Sequence, residues 1–284
     1  MKDTKPERLY HYTTIESLAL ILKNKTLRLR ALTEMDDLQE AESDSIQNYG
    51  QFIFVSSWTE DSNEHIPMWE MYSSMKAGVR ISLPRDPFKI YDYETFQFRN
   101  PTEEERKLAE TDKQHYPIID EITLVHDYKG GLIDPSIGHQ LCQIKYVDEG
   151  ETEKLNPKVE LFDDVGVQLA LKEMGIYKSK AWEFQREWRY RLALSPAFPI
   201  RAGDSRWMQY PNKVMLETIL HDKLVCPLNY LDLQLAEDKF NQMEITTSPC
   251  ISEGNRTIVD LLVKSYCPEA KIIRSRFENK VRSK

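Results

Sequence analysis

Apolar residues recur along this chain in two rhythms, every second residue in short runs and every third or fourth in longer ones. The run Leu9–Tyr12 predicts a strand. Behind it Ile15, Leu18, Ala19 and Leu22 fall on one helical face. Thr13 and Glu16 form a capping box that starts this helix at Thr13, and Asn24 is a left-handed stop. Leu27–Leu32 alternates apolar and basic residues, as a half-exposed strand does. The acidic, polar stretch Asp36–Asn48 predicts loop plus helix. Phe52–Trp58 is β-rich and predicts a buried strand. Pro67–Ser74 predicts a short helix carrying Trp69 and Tyr72, and Gly78–Leu83 a strand ended by Pro84.

In the second half, Thr102–Gln114 predicts a solvated helix and Asp127–Gly138 an internal loop. Strands are expected over Leu141–Val147, Glu187–Leu194, Val214–Leu220 and Lys271–Arg274. Helices are expected over Leu161–Tyr177, Tyr230–Asn241 and Thr257–Tyr266. No internal repeat interrupts the series. Short, scattered strands without regular βαβ alternation predict an α+β domain rather than a doubly wound one. The 284 residues read as one domain, 1–284, with a core over about 9–220 and a helix-strand extension over 221–284.

Composition narrows the class. Hydrophobic residues make up 40% of the chain and aromatic ones 10%, enough for a sizeable core and unlike a disordered chain. The net charge of −8 lacks the electrostatic footprint of a duplex-binding protein. Cys142, Cys226, Cys250 and Cys267 form no CxxC pair and read as small apolar residues of a reducing compartment. Met1–Arg8 is charged, and no run approaches the ~18 apolar residues that span a bilayer. A cytoplasmic protein without a membrane partner is therefore expected.

No P-loop, GxGxxG, GxSxG or HExxH is present, and His115, His126 and His139 lack metal-ligand spacing, so no metal is expected. Three places could carry chemistry, and Ser56, Ser57 and Arg80 stand beside them. His11 lies within the first strand, on the opposite face from Tyr10 and Tyr12; a single strand histidine is more often a satisfied core residue than a ligand. In Glu187-Trp188-Arg189-Tyr190-Arg191, period two puts Glu187, Arg189 and Arg191 on one face and Trp188 and Tyr190 on the core face. The charged face is either solvated, with a weak ion pair, or holds a carboxylate ionised by its arginines. Trp69 and Tyr72 share one helix face; core packing is the simpler reading for Trp69, whereas Tyr72 could present its ring to a flat ligand. Ser56 and Ser57 sit in an apolar strand, so one hydroxyl faces inward and needs a partner. Arg80 is either a surface arginine or a phosphate-holding group in the same cleft.

The order of these elements resembles the bacterial domain-of-unknown-function 2971 family. The similarity rests on Leu9-Tyr10-His11-Tyr12-Thr13 with its helix and Leu27-Arg28, Phe54-Val55-Ser56-Ser57-Trp58, Met68-Trp69-x-x-Tyr72, Gly78-Val79-x-Ile81 and Trp182-x-x-x-x-Glu187-Trp188-Arg189, spanning roughly Leu9 to Leu220. That family looks like a branch of the ADP-ribosyltransferase fold, so the resemblance implies a split β-sheet core with surrounding helices. It implies an NAD-dependent ADP-ribosyltransferase of the toxin or phage-defence kind, with NAD as substrate and a protein or nucleic-acid acceptor. An antitoxin or defence partner would be in keeping with this; a catalytically degenerate nucleotide-sensing or protein-binding module is the alternative. The resemblance further implies that His11, with Tyr12, Thr13, Ser56, Trp69 and Arg80 around it, binds NAD, that Tyr72 stacks near the nicotinamide and that Glu187 is catalytic. Glu183 is a competing carboxylate, and Gln185 stands two residues before Glu187.

Overall fold

The N-terminal alternation folds as strand β1 (Arg8–Thr14), helix α1 (Ile15–Asn24) and strand β2 (Thr26–Ala31). They are seen in a computed structural model that describes residues 5–41, 49–91, 119, 139–148, 159–162, 166–169, 174–194, 226 and 228–282. The N-cap of α1 is Thr14 rather than Thr13: the Thr14 hydroxyl accepts from the Ser17 N–H at 3.2 Å. Thr13 and Thr14 remain extended because both pair with the neighbouring strand, opposite Val79 and Gly78. The helix accordingly runs one residue further, and the left-handed stop is Lys25 (φ 52°) instead of Asn24.

Next come β3 (Ile53–Thr59), α2 (Ile66–Tyr72) and β4 (Gly78–Pro84). Gly78 is needed at the entry to β4, where a Cβ would lie 2.5 Å from the Ser74 carbonyl oxygen. The expected strand 141–147 is two strands, β5 (His139–Gln143) and β6 (Lys145–Val147). The Ile144 N–H between them donates to the Glu187 carbonyl at 2.9 Å, and β6 leaves to pair in parallel with β9 (Tyr177–Ser179).

Two expected helices are corrected. Residues 159–162 and 166–169 are the antiparallel strands β7 (Val159–Phe162) and β8 (Gly166–Leu169), with Phe162 opposite Gly166. Val159/Leu161 and Val167/Leu169 satisfy period two. Tyr230–Asn241 divides into β11 (Tyr230–Gln234) and the one-turn helix α3 (Glu237–Phe240). Leu231 and Leu233 are buried between exposed Tyr230 and Gln234, again period two. β10 (Glu187–Ala193) and β13 (Lys271–Arg274) follow the sequence reading; α4 (Glu253–Tyr266) ends as expected but begins before Thr257, at the N-cap Ser252, and β12 (Glu244–Thr247) was not anticipated. The helix 102–114, the loop 127–138 and the strand 214–220 lie outside the described residues.

The fold is α+β. Its main sheet runs β11-β2-β3-β1-β4-β12-β13, with β10 on β3 and β5 on β10. β12 and β13 pair in parallel and the other strands of this sheet antiparallel, so the sheet is mixed. β10 covers one edge of β3 from Ile53 to Thr59. The other edge is shared: β2 pairs at Phe54 and Val55, and β1 only at Thr59. Among the described residues no strand pairs with Ser56, Ser57 and Trp58 on that edge, and β1 and β2 splay apart around them. The largest apolar core joins Leu18 and Leu22 of α1 to Phe54, Trp58, Ile81, Leu192 and Leu231 of the sheet. Each large side chain so buried contributes about 1.5–3 kcal/mol.

Candidate active site

A cavity of about 540 Å³ opens where β1 and β2 diverge over β3. Its walls include His11 from β1, Ser56 and Ser57 from β3, Tyr72 from α2, Lys178 from β9 and Glu187 from β10. The volume is in the ~300–1,000 Å³ range of small-molecule sites.

His11 replaces the missing strand. Its Nδ1 lies 2.7 Å from the Ser57 carbonyl oxygen, and its ring tilts against Trp58 at a centroid distance of 5.1 Å. A carbonyl only accepts, so Nδ1 bears the hydrogen and Nε2 is the acceptor of the neutral ring. Burial lowers the His11 pKa, against the Ser57 hydrogen bond, which raises it. At neutral pH the imidazole is therefore uncharged.

Glu187 opens β10 directly after Arg186, which holds the left-handed conformation (φ 45°). The carboxylate is 3% exposed. Arg189 Nε donates to Oε1 at 2.5 Å and Lys178 Nζ to Oε2 at 3.1 Å, while the Glu187 N–H donates to the Tyr146 hydroxyl at 2.8 Å. Burial alone would raise the carboxyl pKa, but Arg189 and then Lys178 outweigh it and hold the group at about 2. The strand alternation read from the sequence holds, yet its charged face is not solvated: Arg189 is 0% and Arg191 1% exposed. β5 pairs with the far edge of β10, and the turn bearing Glu40 closes over the arginines' face.

Residues 68–190 match the family described as Protein of unknown function (DUF2971). The match supports the DUF2971 family for this chain. Searches of curated proteins and of solved structures return no significant match. The DUF2971 segment contains Tyr72 and Glu187 and begins after His11, so the site combines this segment with the N-terminal strand.

Within that segment Tyr72 is half-buried, and its hydroxyl accepts from Gln185 Nε2. Burial, then Asp36, Glu187 and Glu40, raise its pKa, so it stays protonated. Trp69 is not brought to the cavity. It is fully buried, edge-on to Tyr12 at 4.9 Å, with Nε1 donating to Glu64 at 3.1 Å. Arg80 is neither a surface group nor a cavity group: 7% exposed, it donates to the Ser62 carbonyl at 3.0 Å and lies over the Tyr10 ring at 4.6 Å. Its β4 position opposite Tyr12 fixes that side. Tyr12 and Thr13 border the cavity, although the Tyr12 hydroxyl is engaged by the His65 N–H at 3.2 Å. Ser56 Oγ accepts from Trp58 Nε1 at 3.0 Å, the partner its inward position demands. Glu183 is exposed, in the short 3₁₀ turn Lys180–Gln185, and does not line the cavity.

Sequence reasoning missed Glu40, Lys178 and Tyr146. Arg189 grips Glu40 with both terminal nitrogens, Nη2 to Oε1 at 3.0 Å, and donates to the Gly175 carbonyl at 3.2 Å. Gly175 suits this place, having φ 73° and Leu32 side-chain atoms 3.2 Å from where a Cβ would stand. The one legible sign of this cluster was the run of charges on a single face of β10. Among the described residues no group of three or more His, Cys, Asp or Glu could hold a metal ion, and no helix is long and apolar enough to cross a membrane.

Proposed function

We propose that this protein is an NAD-dependent ADP-ribosyltransferase that cleaves the nicotinamide–ribose bond and transfers ADP-ribose to a protein or nucleic-acid acceptor, as a toxin or phage-defence effector does. The observation that carries this reading is that His11, Tyr72 and an ionised Glu187, from distant parts of the chain, border one cavity at a split in the sheet. NAD is the substrate. Neutral His11 offers Nε2 as acceptor to a ribose hydroxyl, and the Tyr72 ring lies against the nicotinamide. As the glycosidic bond breaks, its electron pair passes to the nicotinamide nitrogen and C1′ gains oxocarbenium character. Glu187, already ionised and already oriented, stabilises that charge without reorganising. The acceptor then bonds to C1′ and releases a proton.

One observation favours a second reading, a nucleotide-sensing module without turnover: both oxygens of Glu187 already have cationic partners. The two are separated by incubating purified protein with labelled NAD and cell extract or nucleic acid, beside Glu187→Gln. Nicotinamide release and label transfer that vanish in the variant support the transferase. NAD or ADP-ribose binding without release, unchanged by the substitution, supports the sensor.

A further inference from the structure

Four side chains from parts of the chain far apart meet at the cavity wall: Lys178, Glu187 and Arg189 line it, and Glu40 lies behind them. Glu40 belongs to the 3₁₀ turn Leu38–Ala41, Lys178 to β9, and Glu187 and Arg189 to β10. Their side chains are 0%, 5%, 3% and 0% exposed, so the charges act on one another with little help from water. Two carboxylates and two cations leave the group neutral. Their bonds form a ring: Arg189 Nε to Glu187 Oε1, Glu187 Oε2 to Lys178, Lys178 to Glu40 Oε1 at 3.4 Å, and Glu40 back to the terminal nitrogens of Arg189. Gln185 extends the ring into the cavity, accepting from Lys178 at 2.9 Å and donating to the Tyr72 hydroxyl.

The division of labour around Arg189 is specific. A guanidinium binds a carboxylate best through two parallel N–H bonds. That bidentate end is taken by Glu40, so Glu187 is held by Nε alone through one oxygen. With Glu40 absent, the fork is free to take both oxygens of Glu187 and draw it into the wall. With Lys178 absent, Oε2 loses the donor that it shares with Gln185.

We propose that Glu40 and Lys178 are positioning residues, which hold Glu187 by one oxygen each from Arg189 and Lys178 and so keep its carboxylate at the cavity surface. This rests on the transferase reading of Glu187 for its kinetic consequence but not for its structural one. The same turn that carries Glu40 is preceded by Glu34, Met35 and Asp36 of the cavity wall, so seating Glu40 also fixes that wall.

The test uses charge balance to separate positioning from packing. Glu40→Gln or Lys178→Met alone leaves a net buried charge and should lower the thermal midpoint; the double variant restores neutrality and should recover most of it. Positioning predicts that NAD turnover in the double variant stays down by about tenfold or more in kcat, with KM within about twofold. Turnover that returns together with stability overturns the proposal. A second readout needs no substrate: the carboxyl carbon of Glu187, followed by NMR against pH. The groups facing it are Arg189, Lys178, Glu40, Tyr72, Tyr146 and Ser57. Its midpoint should rise by about one unit or more in Lys178→Met, since an attracting cation is removed; an unmoved midpoint overturns the proposal. Wild-type protein that releases no nicotinamide overturns the transferase reading, and the titration still decides the positioning role.

Discussion

Arg186 and Glu187 are neighbours in sequence, yet they head two different charge clusters. The outer one is open: Arg186, whose side chain is 55% exposed, bonds Glu60 at 2.8 Å and Asp61 at 3.2 Å, and His65 bonds Asp61 at 2.8 Å. The inner one is the closed ring of Glu187, Arg189, Lys178 and Glu40. In both a carboxyl is held at about 2. For Asp61, burial opposes the shift, and the hydrogen bonds from His65 and the Asn63 N–H overcome it. For Glu187, burial opposes it too, and two buried cations overcome it. Equal ionisation thus arises in unequal surroundings. Water and salt screen the second cluster much less than the first, and it is the second that borders the cavity.

The largest effect should come from Arg189→Met. It strips Glu40 and Glu187 of their shared cation and should cost about 3–5 kcal/mol in urea unfolding; a loss below about 1 kcal/mol would make the inner ring no stronger than a surface pair. Next, Glu187→Gln should lower nicotinamide release by about 10²–10³-fold, checked in steady-state assays with a folded variant.

Acid provides a third contrast. The Glu187 pKa is depressed from its ordinary 4.5 to about 2. Its contribution is fully present above the unfolded value and is lost as pH falls through about 2, amounting to about 3 kcal/mol by linkage. Acid unfolding curves of wild type should keep this component in 1 M salt. If salt removes it, Glu187 is solvated and the contrast fails. The smallest effect should be Arg186→Ala, below about 1 kcal/mol and fading in 1 M salt, measurable by thermal unfolding at two ionic strengths.

The sequence disclosed the elements whose hydrophobic period is unambiguous. β1, α1, β4 and β10 satisfy one rhythm over most of their length and β3 is β-rich throughout; of these, β1, α1, β3 and β10 line the cleft. The strands 159–162, 166–169 and 230–234 were read as helix because their few apolar positions fit both periods. The Thr14 cap was missed by one residue because strand pairing, which is non-local, held Thr13 extended. Of the site, His11, Tyr72 and Glu187 were visible as residues in a recurring order. Glu40 was not: its partner Arg189 lies 149 positions away, and nothing local distinguishes it from the other acids of its segment. Trp69 and Arg80 show the converse, residues of the right type whose strand or helix face points away from the cavity.

The most direct measurement is a crystal structure with an uncleavable NAD analogue. The transferase reading requires the analogue between β1 and β2, with the nicotinamide ring against Tyr72 and ribose hydroxyls at His11 Nε2 and the Glu187 carboxylate. An analogue bound elsewhere, or bound in the cleft with its ribose turned away from Glu187, would contradict it.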